Sequence, residues 1–175
     1  MATIDLIVLG MVKKHPLSAY DIQKLVEYRN ISKWVKISTP SIYKKVIQLE
    51  EKGLLQSVSV RENNMPEKAV YSLTPNGEQV FEQLMQEISA QPIRIFLDFN
   101  AVIVNLDSLP LDIQKSCISN IEKNVQELKS YLEENLQEKE NAPEVPEIGM
   151  AVLRQQFVLA ETIETWIASL KKKFE

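Results

Sequence analysis

The chain has 175 residues, of which 45% are hydrophobic and 25% are charged, a balance typical of globular proteins. Its formal net charge of -4 by itself disfavours a nucleic-acid binder. The average conceals an asymmetry, because residues 13–45 contain eight basic residues against two acidic ones. A basic segment on an acidic protein is typical of a surface that meets phosphates, although such a cluster is often only a solvated face.

The residue types that catalytic and metal sites need are scarce in this chain. It has one histidine, His15, and one cysteine, Cys117, so we expect no disulfide, no metal site and no Cys–His catalysis. We find no nucleophile–base pair and no glycine-rich phosphate loop, and we expect neither an enzyme nor a cofactor. The longest apolar stretch, residues 6–12, is far shorter than the roughly 20 residues that cross a bilayer, and no signal-peptide pattern precedes it. We therefore expect a cytoplasmic protein.

The first 38 residues predict two helices and a polar connector. The first helix, over about residues 3–13, is apolar on nearly every side, so we expect it to pack between the N-terminal domain and another helix, such as one from a second subunit. The second helix begins at Ser18, a preferred N-cap residue, with Asp21 three positions later. Its predicted inward residues are Tyr20, Ile22, Leu25 and Val26. The connector follows over residues 30–38, where Trp34 is expected to pack rather than to stack on a base.

The third predicted helix has the pattern of a helix that lies in a groove. Thr39 is a capping residue followed by proline at the first helical position, and Gly53 ends the helix. Its predicted buried face carries Ile42, Val46, Leu49 and Ile47. Its predicted outward face carries Ser41, Lys44, Lys45 and Gln48. A short helix with an apolar back and a front of hydroxyl, amide and amine groups is suited to contact with a DNA duplex.

The next segments complete an N-terminal domain. Residues 54–60 and 69–73 alternate as strands do, and the polar residues between them predict a hairpin loop. Thr74 and Pro75 repeat the capping signal and begin a fourth helix, with a predicted buried stripe of Val80, Phe81, Leu84, Met85 and Ile88. The order helix, helix, helix, hairpin, helix predicts a winged helix-turn-helix over residues 1–90, whose third helix enters the major groove.

From residue 91 onward the sequence predicts only helices, so the fold class is mostly α with a small β-hairpin. One helix is predicted over residues 93–106, and a longer one carries Ile118, Ile121, Val125, Leu128 and Leu132 at steps of three and four residues. A final helix ends in the three lysines at 171–173, which suit its C-terminal dipole. Trp166 is expected in the core or a dimer interface rather than in a ligand site. We therefore predict that residues 91–175 form a helical dimerisation and effector domain.

Polar residues around the third helix and the hairpin loop are the predicted DNA-binding residues. Lysines there neutralise phosphates, while hydroxyl groups and the first helical amides bind phosphate oxygens. Lys44 and Lys45 could also reach guanine edges, whereas Tyr43 either contacts DNA or packs beneath the wing. The predicted set is Lys36, Ser38, Thr39, Ser41, Tyr43, Lys44, Lys45, Gln48, Arg61, Asn63, Asn64 and Lys68.

Four runs of the first 80 residues together resemble the PadR family of transcription regulators. They are Leu-Ser-Ala-Tyr-Asp-Ile at 17–22, Ser-Thr-Pro-Ser-Ile-Tyr at 38–43, Leu-Glu-Glu-Lys-Gly-Leu-Leu at 49–55 and Lys-Ala-Val-Tyr-Ser-Leu-Thr-Pro-Asn-Gly at 68–77. The long helical remainder resembles the branch of that family with a large C-terminal domain. Two departures leave the operator sequence open. Lys44 stands where the family commonly has proline, and Asn63, Asn64 and Pro66 stand where its wing commonly has glycine.

The resemblance implies a homodimeric regulator, usually a repressor, that binds an inverted repeat and is often released by a small molecule such as a phenolic acid. It also implies that the first and last helices build the dimer interface. Two joined modules gain effective concentration, and their two-fold symmetry predicts a pseudo-palindromic operator with half-sites about one helical turn apart. Two alternatives stay open: a winged-helix module that contacts proteins without binding DNA, and a PadR-like activator.

Overall fold

The structure is a computed structural model that describes residues 3–61, 67–142 and 145–174. The chain divides into two compact units, Met1–Ile93 and Arg94–Glu175, against a predicted boundary after residue 90. The helix-rich architecture with a small antiparallel sheet confirms the predicted fold class.

The first unit contains five helices and three strands in its described residues. The order is α1 (Thr3–Lys14), β1 (Leu17–Ser18), α2 (Ala19–Tyr28), α3 (Ile31–Trp34), α4 (Ser41–Glu51), β2 (Leu55–Val60), β3 (Lys68–Leu73) and α5 (Pro75–Ser89). The sheet is antiparallel with the order β1-β3-β2. Together β2 and β3 form the hairpin that a winged helix-turn-helix requires, and α2 and α4 are the first and last helices of its helix-turn-helix.

Local side-chain chemistry sets the ends of several helices. The hydroxyl of Ser18 accepts the amide of Asp21 at 3.2 Å, while the Asp21 carboxylate accepts the Ser18 amide, so the predicted cap of α2 is confirmed. Thr74 caps α5 by accepting the Gly77 amide at 3.0 Å, and its hydroxyl donates to the carbonyl of Gly53 at 2.7 Å. Gly53 has φ 67, the left-handed conformation that ends a helix at low cost for glycine. These bonds join the end of α4 to the start of α5.

One apolar core holds the first unit together. Its fully buried members come from α1, α2, α4 and α5, so the helices pack around a shared centre. The buried residues are Val8, Leu9, Met11, Val12, Ile22, Val26, Ile31, Ile42, Val46, Leu49, Leu54, Leu55, Tyr71 and Leu84. Burial raises the pKa of the Tyr71 hydroxyl, and the nearby Glu50 carboxylate adds to that shift.

Some local expectations for the first unit are wrong. Tyr20 on α2 and Met85 on α5, both expected inward, are 57% and 51% exposed. The connector that was expected to be irregular contains α3, preceded by Asn30 in a left-handed conformation with φ 52. The two-residue strand β1 pairs Leu17 with Tyr71, and it is too short to carry an alternating pattern.

The second unit is built on two long helices. After α6 (Asn100–Ile103) and a 3-10 turn (Leu106–Ser108) come α7 (Leu111–Lys139) and α8 (Glu147–Lys171), which pack against each other. The buried centre comprises Leu106, Ile118, Ile121, Val125 and Ile167. Lys129 and Lys171 pair with Glu164 and Glu122, each at 2.7 Å, and the Glu164 carboxylate raises the pKa of Lys129.

The prediction of one continuous helix over residues 93–106 is wrong, since only the short α6 is helical in that range, followed by the start of the 3-10 turn. Phe99 instead stacks on Trp166 with ring centroids 5.9 Å apart, although Trp166 remains 41% exposed. Four of the five residues of the predicted seam on α7 are buried, but Leu128 is 47% exposed. The second unit therefore leaves part of its apolar surface in water.

Candidate nucleic-acid interface

Helix α4 presents a different face from the one its sequence pattern indicates. Ile42, Val46 and Leu49 are fully buried, which confirms the predicted apolar back. The exposed side carries Lys44, Tyr43 at 43% exposure and Ile47 at 50%, whereas Ile47 was expected to be buried. Because successive residues of a helix point about 100° apart, the face that α4 offers to solvent is rotated from the predicted one.

An ion pair between α4 and α1 accompanies this orientation. The ammonium group of Lys45 lies 2.8 Å from the carboxylate of Asp5, whose side chain is only 3% exposed. The Lys45 side chain is 18% exposed, so both charges are largely removed from water. Losing one partner of such a pair strands the other charge in the protein interior. Lys45 was expected on the outward face, and that orientation is wrong because the side chain turns towards α1.

The hydrogen-bond donors at the start of α4 also bond within the protein, which the sequence pattern does not predict. The helix begins at Ser41, and Pro40 occupies the capping position without a side-chain cap bond, so the prediction of Thr39 as the cap is wrong. The amides of Ser41 and Ile42 donate to the carbonyls of Ser38 and Thr39 at 3.0 and 3.1 Å. The Ser41 hydroxyl also donates to the carbonyl of Ser38. These donors are already engaged within the protein, contrary to the expectation that the first amides are open to phosphate.

The other predicted DNA-binding residues lie on either side of α4. Lys36 and Ser38 are exposed in the segment that precedes it, and Thr39 and Gln48 are partly buried. At the hairpin, Arg61 is exposed just after β2, and Lys68 pairs in register with Val60 as the first residue of β3. Asn63 and Asn64 fall outside the described residues.

Carboxylates pair with several lysines of residues 13–45, from within the segment and from other helices, and so reduce its basic character. Lys13 lies 3.4 Å from Glu78, and Lys24 lies 3.1 Å from Glu27. A hydrogen bond from Lys24 to Glu27 and their mutual attraction raise the pKa of the Lys24 ammonium. Within the described ranges, no carboxylate lies within salt-bridge distance of Lys36 or Lys44. These two lysines therefore carry the uncompensated positive charge beside and on the exposed face of α4.

A cavity of about 460 Å³ opens beside the start of α4. Its wall combines one cation, three hydroxyl groups and one amide with aliphatic side chains, supplied by Lys36, Thr3, Ser38, Ser41, Gln91, Ile4, Ile37 and Ile88. Its volume is within the range of small-molecule sites in proteins.

The described residues were compared with the requirements of a metal site and of a membrane-spanning helix, and they meet neither. There, no cluster of three or more His, Cys, Asp or Glu side chains has the arrangement of a metal site. None of the helices described combines the length and apolar character that crossing a membrane requires.

Comparison with known proteins identifies the first unit. Residues 8–83 match the model of the transcriptional regulator PadR-like family, and the predicted resemblance is confirmed. None of the curated proteins matches the chain.

Solved structures show the same fold over nearly the whole chain. Bacillus subtilis PadR in complex with operator DNA is 19% identical with a TM-score of 0.85, covering 99% of this chain and 100% of its own. The same B. subtilis protein in complex with p-coumaric acid is 21% identical with a TM-score of 0.82, covering 99% of each chain. The Vibrio cholerae virulence activator AphA is 15% identical with a TM-score of 0.71, covering 98% of this chain and 97% of its own.

Sequence reasoning missed the role of Asp5 and placed Ile47 on the buried face of α4, where the structure has it exposed. Asp5 is the one acidic residue in an otherwise apolar first helix, and a carboxylate buried on such a helix needs a cationic partner. That signal was available in the sequence, but it does not say which lysine is the partner. Ile47 carries no distinguishing signal, since it lies next to the buried Val46 in a mixed helix.

The Asp5–Lys45 pair generates a prediction about stability. Replacing Lys45→Met retains most of the aliphatic stem but leaves the Asp5 carboxylate without its ammonium partner. We expect the free energy of unfolding, measured by urea titration, to fall by about 3 kcal/mol. The matched control Lys44→Met, at the exposed neighbouring position, should change it by less than about 0.5 kcal/mol. Equal effects at the two positions would contradict the structural role of the pair.

Proposed function

We propose that this chain, whose residues 8–83 match the model of the transcriptional regulator PadR-like family, is a homodimeric repressor that binds a pseudo-palindromic DNA operator and is released by a small-molecule effector. The observation that carries the DNA-binding part is the exposed face of α4, which combines Lys44 with Tyr43 and Ile47 over a fully buried back. In a helix-turn-helix, the second helix of the motif enters the major groove. The complex of B. subtilis PadR with operator DNA, which shares the fold, supports this use of the domain.

Within this proposal, the DNA-binding residues divide by position. Tyr43 and Lys44 face the groove, and Gln48 lies at the border of that face. Lys36, Ser38 and Thr39 flank the start of α4 and serve the phosphate backbone, whereas the amide and hydroxyl of Ser41 are engaged by the carbonyl of Ser38. Arg61, Asn63, Asn64 and Lys68 belong to the wing and serve the backbone or the minor groove. Lys45 acts through Asp5 and holds α4 in place, so its contribution to DNA binding is positional.

A salt titration distinguishes a phosphate contact from a positional role. We expect Lys44→Ala to weaken binding to every duplex and to reduce the slope of log K against log salt by about one unit, because one fewer counterion is released. Lys45→Met should weaken binding to a selected operator without changing that slope. Fluorescence anisotropy at several salt concentrations measures both quantities.

Two outcomes of the titration would contradict the assignment. If Lys45→Met lowers the slope as much as Lys44→Ala does, both lysines meet phosphates and the face that meets DNA is the one predicted from sequence. If the parent protein shows no salt-dependent DNA binding, a winged-helix module for protein contacts is the better description.

The homodimer is supported by the exposed apolar side chains of the second unit. Ile95, Phe96, Val104 and Ile148 are between 68% and 81% exposed, and exposed apolar side chains mark a protein–protein interface where they form a contiguous patch. Leu128 interrupts the otherwise buried seam of α7 and offers a further apolar contact.

Assembly can be measured without DNA. We expect sedimentation equilibrium at micromolar concentration to give twice the chain mass of 20.1 kDa. The double variant Phe96→Asp/Ile148→Asp places charges on the exposed apolar surface, and it should shift the protein towards the single-chain mass. The matched double variant Lys123→Asp/Gln137→Asp, at polar positions of α7, should leave the mass unchanged. A parent protein that sediments as a monomer would contradict the homodimer.

For the effector, we propose an aromatic acid in the cavity beside the start of α4. B. subtilis PadR is seen with p-coumaric acid, which combines a carboxylate with a phenol ring. In this chain Lys36 would bind the carboxylate while Ile37 and Ile88 cover the ring. Because Ser38 and Ser41 share the cavity wall, an occupied cavity favours one arrangement of the start of α4 over another and changes DNA affinity.

A panel of phenolic acids tests the effector. We expect at least one member to weaken operator binding. Ile88→Trp, which fills the cavity, should abolish that response and should already lower operator affinity in the absence of acid, because the filled cavity mimics the occupied one. The control Gln86→Trp places the same bulk at an exposed position of α5 and should preserve the response. The proposed cavity is wrong if Ile88→Trp responds like the parent, and the effector class is wrong if no acid of the panel acts.

Activation is the second candidate for the direction of regulation. The V. cholerae protein AphA, which has the same fold, is a virulence activator. Transcription in vitro from a promoter that contains the selected operator distinguishes the two. A repressor lowers transcript yield when added, and an activator raises it.

A further inference from the structure

Ile47 is a large aliphatic side chain on the outer surface of α4. It is 50% exposed, and it lies one helical turn after Tyr43 and close to Lys44 on the same side of the helix. Ile42, Val46 and Leu49 supply the side of α4 that packs into the first unit, and each is 0% exposed. Ile47 is not among the residues packed against that core. Its side chain is therefore available to something outside the domain.

The charge around Ile47 indicates what that partner is. Lys44 has no carboxylate within salt-bridge distance among the described residues, and the start of α4 adds the exposed Lys36. An exposed apolar side chain one turn after an uncompensated cation, Lys44, suits a polyanion that also presents an apolar group. A DNA major groove presents one such group on its base edges, the C5-methyl group of thymine.

We propose that Ile47 is a specificity-determining residue that packs on a thymine C5-methyl group in each operator half-site. The inference rests on the proposed function, because it requires α4 to lie in the major groove. Within that arrangement the three outward residues of α4 have different chemistry. Lys44 donates to phosphate or guanine, the Tyr43 hydroxyl donates or accepts, and Ile47 offers only an apolar surface, which distinguishes thymine from the other bases.

The experiment is a double-mutant cycle between the side chain and one methyl group. An operator is first selected from random duplexes with the full-length protein, and each thymidine of one half-site is then replaced in turn by deoxyuridine. For the parent, we expect one of these replacements to weaken binding roughly fourfold, the value of one buried methyl group. For Ile47→Ala, the thymidine and deoxyuridine operators should bind equally at that position.

Lys44→Ala serves as the matched control, since it alters the same face without removing the aliphatic contact. It should bind more weakly but keep the roughly fourfold preference for thymidine. Because Ile47 lies outside the core, Ile47→Ala should retain the urea midpoint of the parent, which excludes unfolding as the cause of any change.

The possible outcomes separate the inference from the proposed function. If no deoxyuridine replacement affects the parent, or if Ile47→Ala keeps the same preference, the role of Ile47 is overturned while operator binding stands. If the parent selects no sequence from the random duplexes, the proposed function fails and the role of Ile47 fails with it.

Discussion

The surface that this protein offers to a partner depends on how α4 packs into the first unit, where Asp5 and Lys45 form an ion pair. A carboxylate with 3% of its side chain exposed needs a counter-charge, and it obtains one from α4 at 2.8 Å. Ile42, Val46 and Leu49 are fully buried and set the side of α4 that packs into the domain, and the ion pair is compatible with that orientation. Tyr43, Lys44 and Ile47 face outward as a consequence.

This arrangement explains how an acidic chain can be adapted to bind DNA. Several lysines of the basic segment are paired with carboxylates, so the segment contributes less charge than its composition indicates. The charge that remains uncompensated includes Lys36 and Lys44, beside and on the exposed face of α4. A small number of well-placed cations and a mixed polar and apolar helix face favour reading a sequence over indiscriminate attraction to phosphate.

The sequence was sufficient where local chemistry determines structure. Ser18 with Asp21, Thr74 before α5 and Gly53 after α4 each act through groups a few residues away, and the structure has them as predicted. The sequence was insufficient where a residue far away in the chain determines the position of a side chain. Lys45 shares the helical spacing of the buried Ile42, Val46 and Leu49, but the pattern does not reveal that its ammonium group meets Asp5 of α1. The apolar run at 93–106 was predicted as a helix because periodicity does not reveal that most of it is irregular.

A crystal structure of the full-length protein bound to its selected operator tests the central claim most directly. In that complex we expect α4 to lie in the major groove, with Lys44 and Ile47 directed at the DNA. The Lys45 ammonium should still lie within salt-bridge distance of the Asp5 carboxylate. A complex in which Lys45 has left Asp5 to bind the duplex, with Ile47 turned towards solvent, would contradict it.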